Sequence, residues 1–584
     1  MWYNISRCNE KEVEKMYLQT VKSKNAVSYY AAKTVYEGGR KTSHIVEKLG
    51  TEKELSEQYA DVRGYLQQRI AELNEKENEQ QQEIMLRLVQ GEQIEPEKQV
   101  SYNCGYLFLQ KIYSELGLDR ICRDISKRYK FEYNLNAILS RLIYGRILFP
   151  KSKLGTMEDS HTLLEQPDFQ LHDIYRALDV LAKENRYIQA QLYKNSGRVC
   201  ERNNRILYYD CTNYYFEIEE ESGLRQYGPS KEHRPNPIVE MGLFMDGDGM
   251  PLAFSINPGN QSEQTTLKPL ETEILRDFGN SQFVVCTDAG LAGTANRKFN
   301  SVMGRKFITV QSLKKLKGFQ QDWALDKTGW KIAGSQQTYN LDEVLKDESF
   351  CADKLFYKER WFNEDGLEQR FIVTYSLKYK EYLAHIRERQ ISRAQKKIDT
   401  GAVGRIRAND PDRFIGQFYI TDNGEIAEKV SYSLNTVRID AEEVFDGFYA
   451  LATNLEDPPE DIIAVNARRW EIEESFRIMK SEFKARPVFL SRDDRITAHF
   501  TTCYLALMIF RVLEKRTNEC FTAPVLLSTL RGMNLLNVGQ GSYIPTYTRT
   551  VVTDALHAAF GFQTDYRIIP NQTFCKILKS SKHP

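Results

Sequence analysis

Among 584 residues there are only 5 Trp, 8 His and 17 Pro, and no excess of either charge: 80 Lys and Arg stand against 80 Asp and Glu. A neutral chain has no global field to draw it onto a polyanion, so any contact with nucleic acid has to come from local patches. The 10 cysteines include no CxxC pair and no Cys/His cluster at zinc spacing, which excludes a zinc finger and a disulfide scaffold and fits reduced thiols in a cytosol. The histidines form no metal motif, and His499 reads as structural. It opens the apolar segment Phe500 to Leu513, which is too short and too interrupted by Arg511 to span a membrane. No signal peptide is visible at the start. What is present is a 41% hydrophobic composition, ordinary for a soluble globular protein, in a chain long enough for several domains.

Three distant segments carry the chemistry. YYDCTNYY at 208–215 and VVCTDAGLAG at 284–293 contain apolar β-type runs, Ile206 to Tyr209 and Phe283 to Cys286, each delivering an aspartate near the strand end: Asp210 and Asp288. ARRWEIEESFRIMKSEF at 467–483 is helical and offers Glu473. Three carboxylates placed this way suit two Mg²⁺ (or Mn²⁺) ions at a phosphodiester, one activating the attacking oxygen and one stabilising the leaving oxygen. Taking Arg469 as zero on a helical wheel, Lys480, Glu473, Lys484 and Arg477 fall at about 20°, 40°, 60° and 80°. Ile472, Phe476, Met479 and Phe483 form the neighbouring stripe that would anchor the helix. One reading of the charged stripe is a solvated face of i,i+4 ion pairs. The other has Glu473 on a metal while Arg469, Arg477, Lys480 and Lys484 grip phosphate oxygens.

The spacing of Arg469, Glu473 and Lys480 resembles the Tyr-Arg-Glu-Lys signature of DDE transposases of the insertion sequence 4 superfamily, in particular the insertion sequence 1634-like group. The stretch QYGPSKEHRPNPIVEMGLFMDGDGMPLAFSINPGNQSEQTT at 226–266 and DAGLAGTANR at 288–297 extend the likeness, which covers roughly residues 27–515. The sequence departs from the signature at Asn466, where the family has Tyr. The resemblance implies an enzyme that frees 3′-OH ends at the terminal inverted repeats of a bacterial insertion sequence and joins them to target DNA. Asp210, Asp288 and Glu473 would hold the metal ions, and a homodimer would act on paired double-stranded DNA ends. The expected setting is the bacterial cytoplasm, in association with the nucleoid.

The order of elements points the same way. A strand at 206–210, a hairpin of Val239 to Met245 and Pro251 to Ile256, a helix over 265–278, the second aspartate strand and the run Lys306 to Val310 follow the order of an RNase H-like fold, in which the first and fourth strands adjoin. Asp246 and Asp248 imitate a calcium loop but lack the downstream bidentate Glu, so a tight turn is expected.

The chain therefore reads as multidomain α+β, an RNase H-like catalytic core of mixed sheet and helices interrupted by a β-rich insertion, with a mostly helical N-terminal DNA-binding region. The expected layout has a hairpin and charged helix over 1–98, a helical DNA-end-binding region over 99–200 and the core over 201–310 and 456–515. The insertion occupies 311–455, and a C-terminal region fills 516–584. In the insertion, β runs at Ser335 to Leu341, Arg370 to Tyr375 and Arg413 to Thr421 flank a basic helix at 377–398. Trp330 and Trp361 are candidates to stack on an unpaired base, with core packing as the alternative for each. The segment Arg120 to Lys153 is rich in Lys and Arg, interleaved with aromatics, and nominates Arg123, Lys127, Arg128 and Lys130 as DNA contacts, against the alternative of a solvated basic face. Two other classes stay open. A silent or domesticated transposase derivative would bind DNA without chemistry, and a glycosidase-like hydrolase would use paired carboxylates without needing the cationic stripe.

Overall fold

The computed structural model describes residues 16–23, 26–37, 40–59, 61–81, 93, 95–279, 282–403, 410–420, 429–539 and 541–583. They belong to two compact units, Met1–Pro96 and Glu97–Pro584. In the first, β1 (Tyr17–Lys22), β2 (Val27–Glu37) and β3 (Arg40–Thr51) form an antiparallel meander. The β2–β3 hairpin is the one expected, β1 is an addition, and the Gly38-Gly39 turn lies outside the described residues. The single charged helix expected within 1–98 is two, Glu52–Gln58 and Val62–Gln81, with 82–90 outside the described residues. Thr51 starts the first of them: its hydroxyl accepts the Glu54 N–H and the Glu54 carboxylate accepts the Thr51 N–H. Leu55 and Leu66 then close a small core on Ala31 and Leu49.

The second unit begins with β4 (Ser101–Asn103) and the helices Tyr106–Glu115 to Asn185–Ser196, as the sequence pattern predicts. There follow β5 (Ile206–Tyr215), β6 (Ile238–Asp246), β7 (Pro251–Pro258), β8 (Val284–Thr287), β9 (Lys306–Gln311), β10 (Lys331–Ile332), β11 (Phe356–Glu364) and β12 (Leu367–Tyr375). After these come β13 (Ile415–Ile420), β14 (Lys429–Leu434), β15 (Phe448–Thr453), β16 (Asn534–Gly539) and β17 (Ser542–Pro545). One large mixed sheet has the order β10-β11-β12-β15-β9-β8-β5-β6-β7. β5, β6 and β7 are antiparallel neighbours, and β8 and β9 run parallel to β5, so the first and fourth strands of this order do adjoin. β13 pairs with β14, and β16 pairs with β17 and β4.

The β6–β7 connection is a tight turn. Asp246 Oδ1 accepts the N–H groups of Asp248 and Met250, Gly249 takes the left-handed φ of +74° the turn needs, and Arg202 pairs with Asp246 in the interior. Within 311–455, β10, β11, β12 and β15 extend the same sheet, β15 lying antiparallel to β9. The strand expected at Ser335 to Leu341 is not formed. Only Tyr339 bridges to Trp330, and Asn340 accepts the Asp342 N–H and starts a short helix at Leu341–Val344. An Asx cap competes there with a ladder. The run expected from Arg413 begins with a 3₁₀ turn at Pro411–Phe414 before β13, and Thr421 lies outside the described residues. The basic helix spans Leu377–Asp399.

Alternation along β5 sends its two faces into different layers. Tyr208 and Tyr214 join the main core with Ile472, Phe476, Met479 and Phe483, while Leu207, Tyr209 and Cys211 pack with Leu267, Leu270 and Ile274 on the other side. Ile472, Phe476 and Met479 are thus buried as the wheel predicted, and Phe483, past the helix end at Ser481, is buried with them, each contributing roughly 2 kcal/mol of apolar burial. The Asp493–Arg516 helix meets the length and apolarity of a membrane span, but 94% of that window is buried in the fold. It is the core helix on which Trp470–Ser481, Leu171–Lys183 and Leu135–Leu148 pack.

Candidate active site

Asp210 lies on the β5 face that looks toward the Trp470–Ser481 helix. Tyr209 pairs with Thr287 in the parallel β5–β8 ladder, so the next residues, Asp210 and Asp288, leave adjoining strands side by side on one face. Asp210 is buried and its Oδ1 accepts the N–H of Cys211 at 2.8 Å. Asp288 stands at the end of β8, where its Oδ1 accepts the Leu291 N–H at 3.0 Å. Gly290 keeps this loop tight: a Cβ there would sit 3.3 Å from both Asp288 carboxylate oxygens. Burial pushes the Asp210 carboxyl up to about 6. Lys231 opposes that shift, Asp288 adds to it, and Arg469 opposes it.

The third segment supplies cations to the same place. Lys480 Nζ donates to Thr212 Oγ1 at 2.6 Å, on the same strand face as Asp210. Burial and then Lys231 push the Lys480 amine down to about 8, against the pull of Asp210. Arg469 sits at the start of the helix and pairs with Glu473 at 3.1 Å; the Glu473 side chain is 56% exposed. The helix is fixed to the core by Arg511, which donates to Ser475 Oγ at 2.8 Å and pairs with Glu514.

The predicted stripe divides accordingly. Lys480 turns inward and Arg469 stays beside Glu473, while Arg477 points outward to Glu474 at 2.9 Å. Lys484 is not on the helix, which ends at Ser481; it adopts φ of +46° in the following loop. At Asn466, where the resemblance expects Tyr, the side-chain amide donates to the Tyr449 hydroxyl at 3.2 Å, so a phenol from β15 reaches this spot.

Lys231 belongs to the same cluster and was not singled out from the sequence. It donates to the Cys211 carbonyl at 2.6 Å and pairs with Glu263 at 2.9 Å. Burial works against its charge, but Asp210 and Glu263 outweigh that and hold its amine above the usual lysine range. Its only sequence signal was its place in the QYGPSKEHRPNP run, whose loop brings it back to β5.

Elsewhere the predicted contacts separate. Arg123 pairs with Asp119, Lys127 with Asp124, and Arg128 with Glu184 while stacking on Tyr187; Lys130 is exposed with no acidic partner among the described residues. Arg141, Arg146 and Lys153 of the same segment are buried, so its positive count does not describe a surface. On the Leu377–Asp399 helix, Lys378, Arg387 and Lys397 are paired with carboxylates, whereas exposed Arg389, Arg393 and Lys396 share one face with no partner among the described residues. Trp330 is fully buried with its indole N–H on the Asp326 carbonyl, which excludes it from base stacking; Trp361 is 41% exposed. His499 is buried with Nε2 beside the Ala485 carbonyl, the structural role expected of it. The 9 cysteines among the described residues are all free.

An all-oxygen donor set on a buried carboxylate beside a second one fits hard divalent cations. The elevated carboxyl of Asp210 is the observation in favour, because it marks a charge that the protein itself does not fully compensate. Glu473 is committed to Arg469. Among the described residues the one group of three Asp, Glu, His or Cys ligand atoms lying within 4.8 Å of each other is Asp554, His557 and Asp565, so the three carboxylates of the site are not drawn onto one point.

Residues 220–509 match the family model of the transposase DDE domain. The matched span holds Asp288 and Glu473 and begins just C-terminal to Asp210. No curated protein matches the chain. Among solved structures it is similar to the cryo-EM structure of a piggyBac transposase synaptic complex with hairpin DNA, at 8% identity over 82% of this chain and 84% of that one. The TM-score is 0.33.

Proposed function

We propose that this protein is the transposase of a bacterial insertion sequence, of the insertion sequence 4 superfamily and its 1634-like group, cutting DNA at terminal inverted repeats and transferring the freed strands to target DNA. The observation that carries the reading is the meeting of Asp210 and Asp288 at adjoining strands, under a helix that directs Lys480 and Arg469 at the same spot. The β7-β6-β5-β8-β9 order supports an RNase H-like core. Asp210 and Asp288 would hold Mg²⁺ or Mn²⁺, two ions in all, with Glu473 completing the set once released from Arg469. Bound metal would supply an activated water or 3′-hydroxyl and charge shielding at the scissile phosphate.

This chain's own residues do the rest. Lys480 and Lys231 place positive charge beside the aspartates, Arg469 offers a planar fork to phosphate oxygens, and burial keeps Asp210 short of bulk water. Residues 99–200 are assigned to end binding, with Arg123, Lys127, Arg128 and Lys130 as phosphate contacts, and Arg477 and Lys484 are further phosphate contacts from the third segment. The segment 311–455 is an insertion carrying a further DNA face at Arg389, Arg393 and Lys396. The active form is a homodimer on paired ends, in the cytoplasm at the nucleoid.

The test is Mg²⁺-dependent cleavage of a duplex bearing the inverted repeats that flank the gene. Asp210→Ala, Asp288→Ala and Glu473→Ala are expected to abolish cleavage and leave end binding largely intact. Near wild-type cleavage in any of the three would overturn its assignment. One observation favours a second reading, a silent DNA-binding derivative: Glu473 is engaged with Arg469 and half exposed. End binding without cleavage in Mg²⁺ and Mn²⁺ is the result that would select it.

A further inference from the structure

Beyond the C-terminal end of the Trp470–Ser481 helix lies a cavity of about 220 Å³ whose charged lining is wholly basic: Arg146, Lys151, Lys153, Lys484 and Arg486, with Phe489 among its walls. Lys153 is 6% exposed and makes no ion pair or hydrogen bond through its amine among the described residues. Arg146, equally buried, spends its guanidinium on the carbonyls of Phe483, Lys484 and Lys151 and has no carboxylate partner, its Nε being left without an acceptor. Lys484 is exposed and also unpaired among the described residues. Two buried cations with no counter-charge are costly to the folded chain unless an anion completes them. Ser152 caps the Lys153–Ser160 helix by accepting the Gly155 N–H, and that helix's positive end faces the same cavity. Burial, then repulsion from Arg146, pushes the Lys153 amine down to about 7, against a pull from Cys503.

The cavity is one ionic link from the candidate active site. Arg486 pairs with Glu232, Glu232 lies 3.8 Å from Lys480 Nζ, and Lys480 holds Thr212 on the Asp210 strand. At the rim Phe489 is 63% exposed, a large apolar ring facing solvent. We infer that this cavity is a phosphate subsite for a single nucleic-acid strand running on from the reacting phosphodiester, with one phosphate held by Lys153, Arg146 and Lys484 and a neighbouring base stacked on Phe489. The inference rests on the transposase reading only for the identity of the reacting strand.

The test uses the full chain and a fluorescent 12-nucleotide oligothymidylate, read by anisotropy across a salt series, with inorganic phosphate as the second probe. Lys153→Met and Lys484→Gln are each expected to weaken strand binding about tenfold and to reduce the log-log salt slope by about 0.7 for each phosphate left without its cation. Phe489→Ala should weaken strand binding about fivefold or more and leave phosphate binding unchanged, since stacking needs a base. Lys153→Met should melt at or above the wild-type temperature, which separates lost binding from misfolding. Strand affinity unchanged in Lys153→Met and Lys484→Gln overturns the subsite, and so does a loss confined to inorganic phosphate. If Asp210→Asn abolishes cleavage while those two variants bind normally, the subsite falls and the catalytic reading stands. If no DNA is ever cleaved but the two variants lose strand binding, the reverse holds.

Discussion

Replacing Asp210 by Asn should stabilise the metal-free protein while ending its chemistry. The carboxyl is raised from 3.8 to about 6, chiefly by burial. At about 1.4 kcal/mol per pH unit that difference corresponds to about 3 kcal/mol. The sign follows from proton binding: the folded chain holds this proton more tightly than the unfolded one, so the advantage to folding is complete below pH 3.8 and is lost as pH rises through 6. Asparagine carries no such titration. Asp210→Asn is therefore expected to resist urea better than wild type by up to about 3 kcal/mol at about pH 7.5, and by only about 1 kcal/mol at about pH 4.5. Saturating Mg²⁺ should stabilise the wild type by mass action and leave the variant unmoved. Parallel urea melts at the two pH values, with and without Mg²⁺, read all three effects. A variant no more stable than wild type at the higher pH, or a gap of equal size at both, would refute the account of Asp210 as an uncompensated buried carboxylate.

Arg469→Lys should slow single-turnover cleavage about tenfold or more, because an ammonium cannot present a planar fork to two phosphate oxygens; a full rate in the lysine variant would return Arg469 to a simple ion-pair partner of Glu473. Neutralising Arg389, Arg393 and Lys396 together should lower DNA affinity and flatten its salt dependence by about 0.9 for each phosphate these side chains neutralise. The same treatment of Arg123, Lys127 and Arg128 should change both less, since each already faces a carboxylate; equal losses in the two sets would argue against that ranking. Trp330→Ala should cost about 3–5 kcal/mol in a denaturant melt, as expected for a large ring removed from a core, whereas Trp361→Ala, half exposed, should stay near about 1 kcal/mol.

The sequence by itself carried everything that depends on a local period. The apolar runs Ile206 to Tyr209 and Phe283 to Cys286 placed one aspartate on a strand and the other just past a strand end, and the i, i+4, i+7 spacing of Ile472, Phe476 and Met479 told which side of the third segment would be buried. The adjacency of the first and fourth strands followed from element order, because a crossover helix returns the chain parallel to where it began. The same local logic misplaced Lys484, since a wheel assumes that the helix continues and this one ends at Ser481, where the chain turns back with Phe483 and Ala485 packed in the core.

Charge was the part that only the tertiary structure decided. Counting Lys and Arg between Arg120 and Lys153 could not tell that Arg128 meets Glu184 or that Arg146 and Lys153 turn inward. Nor could it tell that Lys231, from a loop between strands, stands over Asp210. Hydrophobic period is a property of neighbouring residues, whereas the worth of a charge depends on which opposite charge and how much water lie near it. Those neighbours arrive from segments far away in the chain.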